Sequence, residues 1–81
     1  MKVQVKLFAR ARDIAGADLV ELELPEAASV ADLRTALAEE YPAMAPIAER
    51  LLVAIGTDYA TEEQVLAPHA EIACFPPVSG G

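Results

Sequence analysis

Residues 2–8 alternate: Val3, Val5 and Leu7 share one parity, and Lys2, Gln4 and Lys6 the other. That period of two predicts a strand with one buried face. Phe8 falls on the polar parity, so its ring is expected on the outer face. Residues 9–17, with Arg10, Arg12, Asp13 and Gly16, read as a connection. Val20, Leu22 and Leu24 then alternate with Glu21 and Glu23 until Pro25 closes a second strand. The two strands are expected to pair as a hairpin whose loop exceeds the usual two to five residues.

The period then lengthens. Val30, Leu33, Leu37 and Tyr41 follow a helical stripe, and Asp32, Arg34, Glu39 and Glu40 lie off it. Ser29 is a suitable N-cap, with Asp32 three residues on completing a variant of the capping box. Pro42 biases Tyr41 away from helical geometry and ends the helix there. Pro46 opens a short helical turn expected at Ile47–Arg50. Leu51–Ile55 is an apolar run of strand length, followed by a turn at Gly56-Thr57-Asp58, one helical turn at Thr61–Gln64 and a break at Pro68-His69-Ala70. Glu71–Phe75 is the last strand, with Ile72 and Cys74 on one face and Ala73 and Phe75 on the other. The order β, β, α, β, short element, β predicts an α+β domain spanning residues 1–81, a mixed sheet of four to five strands with one main helix on one face. The last strand is expected beside the first and parallel to it at the sheet centre, with residues 76–81 as an extended tail.

Composition narrows the chemistry. A chain of 81 residues with 54% hydrophobic residues has enough Val, Leu, Ile and Phe for one small core. The net charge of −7, from 13 acidic against 6 basic residues, argues against nucleic acid and anionic membrane as partners, and fits a basic protein partner. A single cysteine forms no intrachain disulfide and fits a reducing, cytoplasmic setting. Neither a signal-peptide pattern nor an apolar run long enough to span a membrane is present. Cys74 reads as a small buried hydrophobe. His69 sits in a turn without further metal ligands at a suitable spacing, and no metal or bound cofactor is expected. No Ser-His-Asp set, glycine-rich phosphate loop or HExxH motif occurs.

The remaining feature is the end of the sequence, Phe75-Pro76-Pro77-Val78-Ser79-Gly80-Gly81. Pro76 and Pro77 fix φ, lack amide donors and favour an extended course. Gly80 and Gly81 carry no side chain to clash in a narrow channel. Six extended residues span roughly 20 Å at most. Phe8 and Phe75, both on the outward parity of adjacent strands, are expected to form an apolar patch suited to docking.

Two segments carry a family resemblance: Leu7-Phe8-Ala9-Arg10-Ala11-Arg12-Asp13-Ile14-Ala15-Gly16 and Phe75-Pro76-Pro77-Val78-Ser79-Gly80-Gly81. With the element order, they resemble the ubiquitin-like β-grasp sulfur carriers, and among these the small subunits of molybdopterin synthase (MoaD-like). The resemblance implies a route. An E1-like adenylyltransferase (MoeB-like) uses ATP to adenylate the Gly81 carboxylate, and sulfur replaces AMP to give a thiocarboxylate. This donates sulfur to cyclic pyranopterin monophosphate held by the large synthase subunit (MoaE-like), within a heterotetramer, to build the molybdopterin dithiolene. The chain would then be a sulfur donor without an active site of its own. The resemblance also places Arg12 near the partner interface, with Phe8 and Phe75, and assigns Pro76, Pro77, Val78, Ser79 and Gly80 to the tail. A thiamine-type sulfur carrier and a ubiquitin-like modifier conjugated through Gly81 share the same activation chemistry. The chain departs from the family pattern at Gly56-Thr57, at Pro68-His69-Ala70 with Glu71, and at Cys74, so no family contact is transferred to residues 56–60 or 68–74.

Overall fold

A computed structural model describes residues 1–77. Its elements are β1 (Lys2–Leu7), α1 (Ala9–Ala15), β2 (Leu19–Glu23), α2 (Val30–Glu40), a 3-10 turn (Pro42–Met44), α3 (Ala45–Ala48), β3 (Leu52–Ile55), β4 (Asp58–Tyr59) and β5 (Glu71–Phe75). The strands form one mixed sheet in the order β2-β1-β5-β3-β4. β1 pairs antiparallel with β2 and parallel with β5, and β3 pairs antiparallel with both β5 and β4. The expected parallel pairing of first and last strands at the sheet centre is present.

The alternation in each strand does its work on one side. Val3, Val5, Leu7, Val20, Leu22, Val53, Ile72 and Cys74 point inward and meet Val30, Leu33 and Leu37 of α2, all buried in one core cluster. The capping box at the start of α2 is complete: the Asp32 amide donates to Ser29 Oγ at 3.2 Å, and the Ser29 amide donates to Asp32 Oδ2 at 2.9 Å. Tyr41 ends the helix at φ −126, ψ 85, outside the helical region that Pro42 disfavours for it.

Four expectations change. Residues 9–15 are helical rather than a plain connection. The segment is rich in alanine, which favours helix strongly but adds little hydrophobic contrast to a periodic pattern, and only Ala11 is buried. Gly16 closes it at φ 77, donating its amide to the Arg12 carbonyl at 2.9 Å in the left-handed conformation that glycine adopts without penalty. The short helical stretch begins at Pro42 rather than Ile47 and ends at Ala48, because Met44 and Ala48 are the buried anchors. Asp58 belongs to a two-residue strand, β4, rather than to the preceding turn. Thr61–Gln64 is a single turn closed by the Gln64 amide on the Thr61 carbonyl. The chain after it is sewn onto the start of α2: Val30 donates to Gln64 O at 3.0 Å, Ala31 to Glu62 O at 3.1 Å, and Leu66 to Ala28 O at 2.8 Å.

Arg34 lies off the apolar stripe, yet its side chain is largely covered, at 15% exposure. Its Nη1 donates to the carbonyls of Ala48, at 2.8 Å, and Leu51, and its Nε donates to Glu62 at 2.6 Å. One guanidinium therefore fastens α2 to the end of α3, to the approach to β3 and to the 61–64 turn. Replacing it strands two partly buried carbonyls, and charge-assisted hydrogen bonds contribute about 1.5–3 kcal/mol each. Arg34→Met is expected to lower unfolding free energy in urea by about 2–3 kcal/mol. Glu62→Gln, at a half-exposed partner, is expected to lower it by less than about 1 kcal/mol. Equal effects would show that the carbonyl contacts contribute nothing.

Cys74 is fully covered between β1 and β3, and burial pushes its thiol pKa up to about 12 against a weak opposing pull from Arg34. In the native protein at mildly alkaline pH, Cys74 is expected to resist a disulfide reagent such as Ellman's that labels the urea-unfolded chain at once. Labelling at the unfolded rate would mean that β5 opens readily.

Candidate functional site

The parallel register sets Leu7 beside Cys74, and the Phe8 amide donates to the Cys74 carbonyl at 3.2 Å. The next side chains outward on the two strands are Phe8 and Phe75. Their rings meet edge to face, with centroids 6.1 Å apart and planes at 75°. Both stand on the outer face, as their parity predicts: Phe8 is 45% exposed and Phe75 is half-buried.

A third ring joins them. Tyr59 lies 5.9 Å from Phe75 at 62°, also edge to face, and is 69% exposed. It gets there through the β3–β4 hairpin, where Gly56 takes the corner at φ 63 and Ala54 pairs with Tyr59. Leu52, directly opposite Phe75 in the register, extends the patch on the same face. Each such aromatic pair contributes about 0.5–1.5 kcal/mol beyond area burial, so the rings brace one another edge to face. The sequence signal for Tyr59 was slight, because a two-residue strand is too short to display an alternation. The clue to Leu52 was stronger: an apolar run on a strand buried on only one side must leave alternate residues on the open face.

The outer face divides along its strands. Around Phe8, Phe75, Tyr59 and Leu52 it carries Ala54 and Ala73. Toward the start of β1 it carries Lys2, Gln4 and Lys6 between Glu21 on β2 and Glu71 on β5. A shallow groove over this polar half is rimmed by Pro68 and the exposed His69.

Arg12 sits one turn into α1, exposed, with its Nε 3.9 Å from Asp13. Its amide and that of Ala11 both approach the Phe8 carbonyl, so Arg12 is tied to the patch through backbone rather than by a side-chain contact. Past Phe75 the chain leaves the sheet through Pro76, half-buried, and Pro77, exposed. Val78, Ser79, Gly80 and Gly81 lie outside the described residues. Among the described residues no group of three His, Cys, Asp or Glu side chains could hold a metal ion, and no helix is long and apolar enough to cross a membrane.

Comparison with known proteins fits this arrangement. Residues 5–81 match the model of the ThiS family. The molybdopterin synthase sulfur carrier subunit of Caenorhabditis briggsae is 31% identical over 83 residues, covering 100% of this chain and 99% of the relative. A putative molybdopterin converting factor subunit 1 from Pyrococcus furiosus superposes with a TM-score of 0.85 at 32% identity, covering 96% of this chain and 99% of its own. SAMP1 of Haloferax volcanii gives a TM-score of 0.85 at 29% identity, with both chains fully covered. The five-stranded sheet gripping its main helix is the ubiquitin-like β-grasp, and the chain belongs to the ThiS family of sulfur carriers and their relatives.

Proposed function

We propose that this chain is the sulfur-carrier subunit of a molybdopterin synthase, with the Gly81 carboxylate as its reactive group. The supporting observation is the cluster of Phe8, Phe75, Tyr59 and Leu52, set where β5 releases the chain into Pro76-Pro77. A face suited to docking and the start of the proposed arm coincide. Curated relatives matched over essentially their full length are named molybdopterin synthase sulfur carrier subunits.

The chemistry follows from the terminal group. A free α-carboxyl has a pKa of about 3.3–3.7 and is an unreactive anion at neutral pH. An E1-like partner supplies ATP. The carboxylate oxygen attacks the α-phosphorus, pyrophosphate leaves, and an acyl-adenylate forms. Hydrosulfide, or a donor persulfide whose S–S bond a second thiol then cleaves by forming a disulfide with the donor, attacks the acyl carbon and expels AMP, leaving a thiocarboxylate. That sulfur attacks a carbon of cyclic pyranopterin monophosphate bound by the large synthase subunit and displaces an oxygen substituent, and water then hydrolyses the resulting thioester, which returns the Gly81 carboxylate and leaves the sulfur on the pterin as a thiol. ATP belongs to the activating partner, and this chain contributes the carboxylate, Gly80 and Gly81 as a slim leader, and Ser79, Val78, Pro77 and Pro76 as the spacer. Phe8, Phe75 and Tyr59 dock, with Arg12 at the margin.

A second reading has its own support: two solved relatives, from Haloferax volcanii and Methanosarcina acetivorans, are named as small archaeal modifier proteins, with nearly full coverage. In that role a lysine amine of another protein attacks the same acyl-adenylate. Intact-mass analysis of the chain purified from cells separates the two. A product with one sulfur in place of one oxygen at Gly81 is expected, and deletion of Gly81 is expected to abolish molybdoenzyme activity. Normal molybdoenzyme activity in the deletion strain would sink the reading, and adducts of Gly81 on protein lysines would favour the modifier.

Docking is tested separately. Phe75→Ala and Tyr59→Ala are each expected to weaken binding to the large synthase subunit by at least tenfold, the scale of an interface aromatic anchor, with the circular dichroism spectrum unchanged. Unaltered affinity in both would remove the aromatic face from the interface.

A further inference from the structure

One open edge of the sheet, β2, lies away from the aromatic patch. Among the described residues β2 pairs only with β1, and the phase of that pairing is fixed at both ends: Leu24 and Met1 exchange backbone hydrogen bonds, and the Leu7 amide donates to the Asp18 carbonyl. In an antiparallel ladder, hydrogen-bonded pairs alternate with pairs whose N–H and C=O groups point away. Asp18, Val20, Leu22 and Leu24 therefore face β1. Leu19, Glu21 and Glu23 turn their backbone donors and acceptors out to the free edge.

Such edges usually carry protection in the form of Pro, bulges, lysine or a covering element. This one has neither proline nor a helix laid across it, and its register with β1 runs unbroken over five residue pairs. It carries carboxylates instead. Glu21 and Glu23 flank the edge on the outer face. On the inner side, Leu22 and Ala36 floor a shallow groove whose rim is Glu39 and Glu40, from the last turn of α2. Two positive groups oppose these four carboxylates. The N-terminal ammonium lies 2.9 Å from Glu23 and holds its carboxyl below the ordinary value, and Lys2 lies 3.8 Å from Glu21. The groove remains net negative.

We propose that the β2 edge binds an extended, basic segment of a partner protein as a sixth strand, with Lys or Arg at alternate positions and small apolar residues between them. Backbone groups of Leu19, Glu21 and Glu23 supply the pairing. Basic side chains on the outer parity stand beside Glu21 and Glu23. Apolar side chains on the other parity enter over Ala36, whose small side chain leaves the room. Main-chain pairing of this kind gives affinity and alternate side chains give specificity. A second copy of this chain is the wrong occupant, because pairing β2 with itself sets glutamates against glutamates across the new ladder, a destabilising arrangement. The site is separate from the aromatic face and from Pro76 and Pro77, so a partner held here leaves both clear.

The probe is the peptide acetyl-Lys-Val-Lys-Val-Lys-Val-amide, titrated into the full chain and followed by amide NMR and hydrogen exchange. Saturable binding is expected, with exchange slowed specifically at the Leu19, Glu21 and Glu23 amides. The fully backbone-N-methylated peptide is expected to bind at least tenfold more weakly, because charge survives methylation and strand pairing does not. Glu21→Lys is expected to abolish binding, and Glu21→Gln to weaken it about two- to fivefold for the one lost pair. Equal binding of parent and methylated peptides would overturn the proposal by reducing it to surface charge. So would no binding by the wild-type chain while a Glu21→Gln, Glu23→Gln double variant self-associates, since the carboxylates would then only guard the edge.

Discussion

The parallel pairing of β1 with β5 is the constraint on which the rest of the molecule depends. Parallel neighbours cannot be joined by a tight turn, so everything between Leu7 and Glu71 is the connection between two adjacent strands. That connection contains the α2 helix, which fills the inner face, and the β3–β4 hairpin, which flanks β5 on its other side. The pairing also brings the two segments that carry the family resemblance into contact. Phe8 stands at the start of the first, Phe75 opens the second, and they touch because Leu7 lies opposite Cys74. A slip of one residue would turn Phe75 into the core and Cys74 out of it.

Long connections need internal fastening, and here it falls to Arg34 and to the stitches between residues 62–66 and 28–31. Arg34 reaches carbonyls 14 and 17 residues away and a carboxylate 28 residues away. None of those separations leaves a trace in local periodicity. Off the stripe of α2, an arginine looks like a solvated charge, and only the packed structure reveals a largely buried fork with three acceptors. The core around it has no side-chain nitrogen or oxygen left without a partner among the described residues.

What could be read from the sequence follows from the length of each pattern. β1, β2, β5 and α2 run for five residues or more with a clear period, so their existence, their buried faces and the central strand pair were all legible, as was the outward parity of Phe8 and Phe75. α1 was hidden because alanine is a strong helix former without hydrophobic contrast. β4 was hidden because two residues have no period, and Tyr59 was lost with it. The proline-rich exit was visible in the sequence, whereas Val78 to Gly81 are known only as sequence.

The division of the outer face bears on how a carrier would work. On the proposed reading, the chain has to visit an activating enzyme and a synthase in turn, so each complex must also come apart. Affinity is set by the quality of a few buried anchors rather than by area, and three rings braced edge to face offer compact anchors without a large apolar surface. The same rings would invite self-association in a neutral protein. A net charge of −7 on 81 residues opposes that, because copies repel one another while a basic partner is drawn in. A net negative surface and an aromatic cluster at the exit of β5 thus act together. On the proposed reading, the first opposes self-association and speeds encounter, and the second sets where the encounter ends, beside the end of β5.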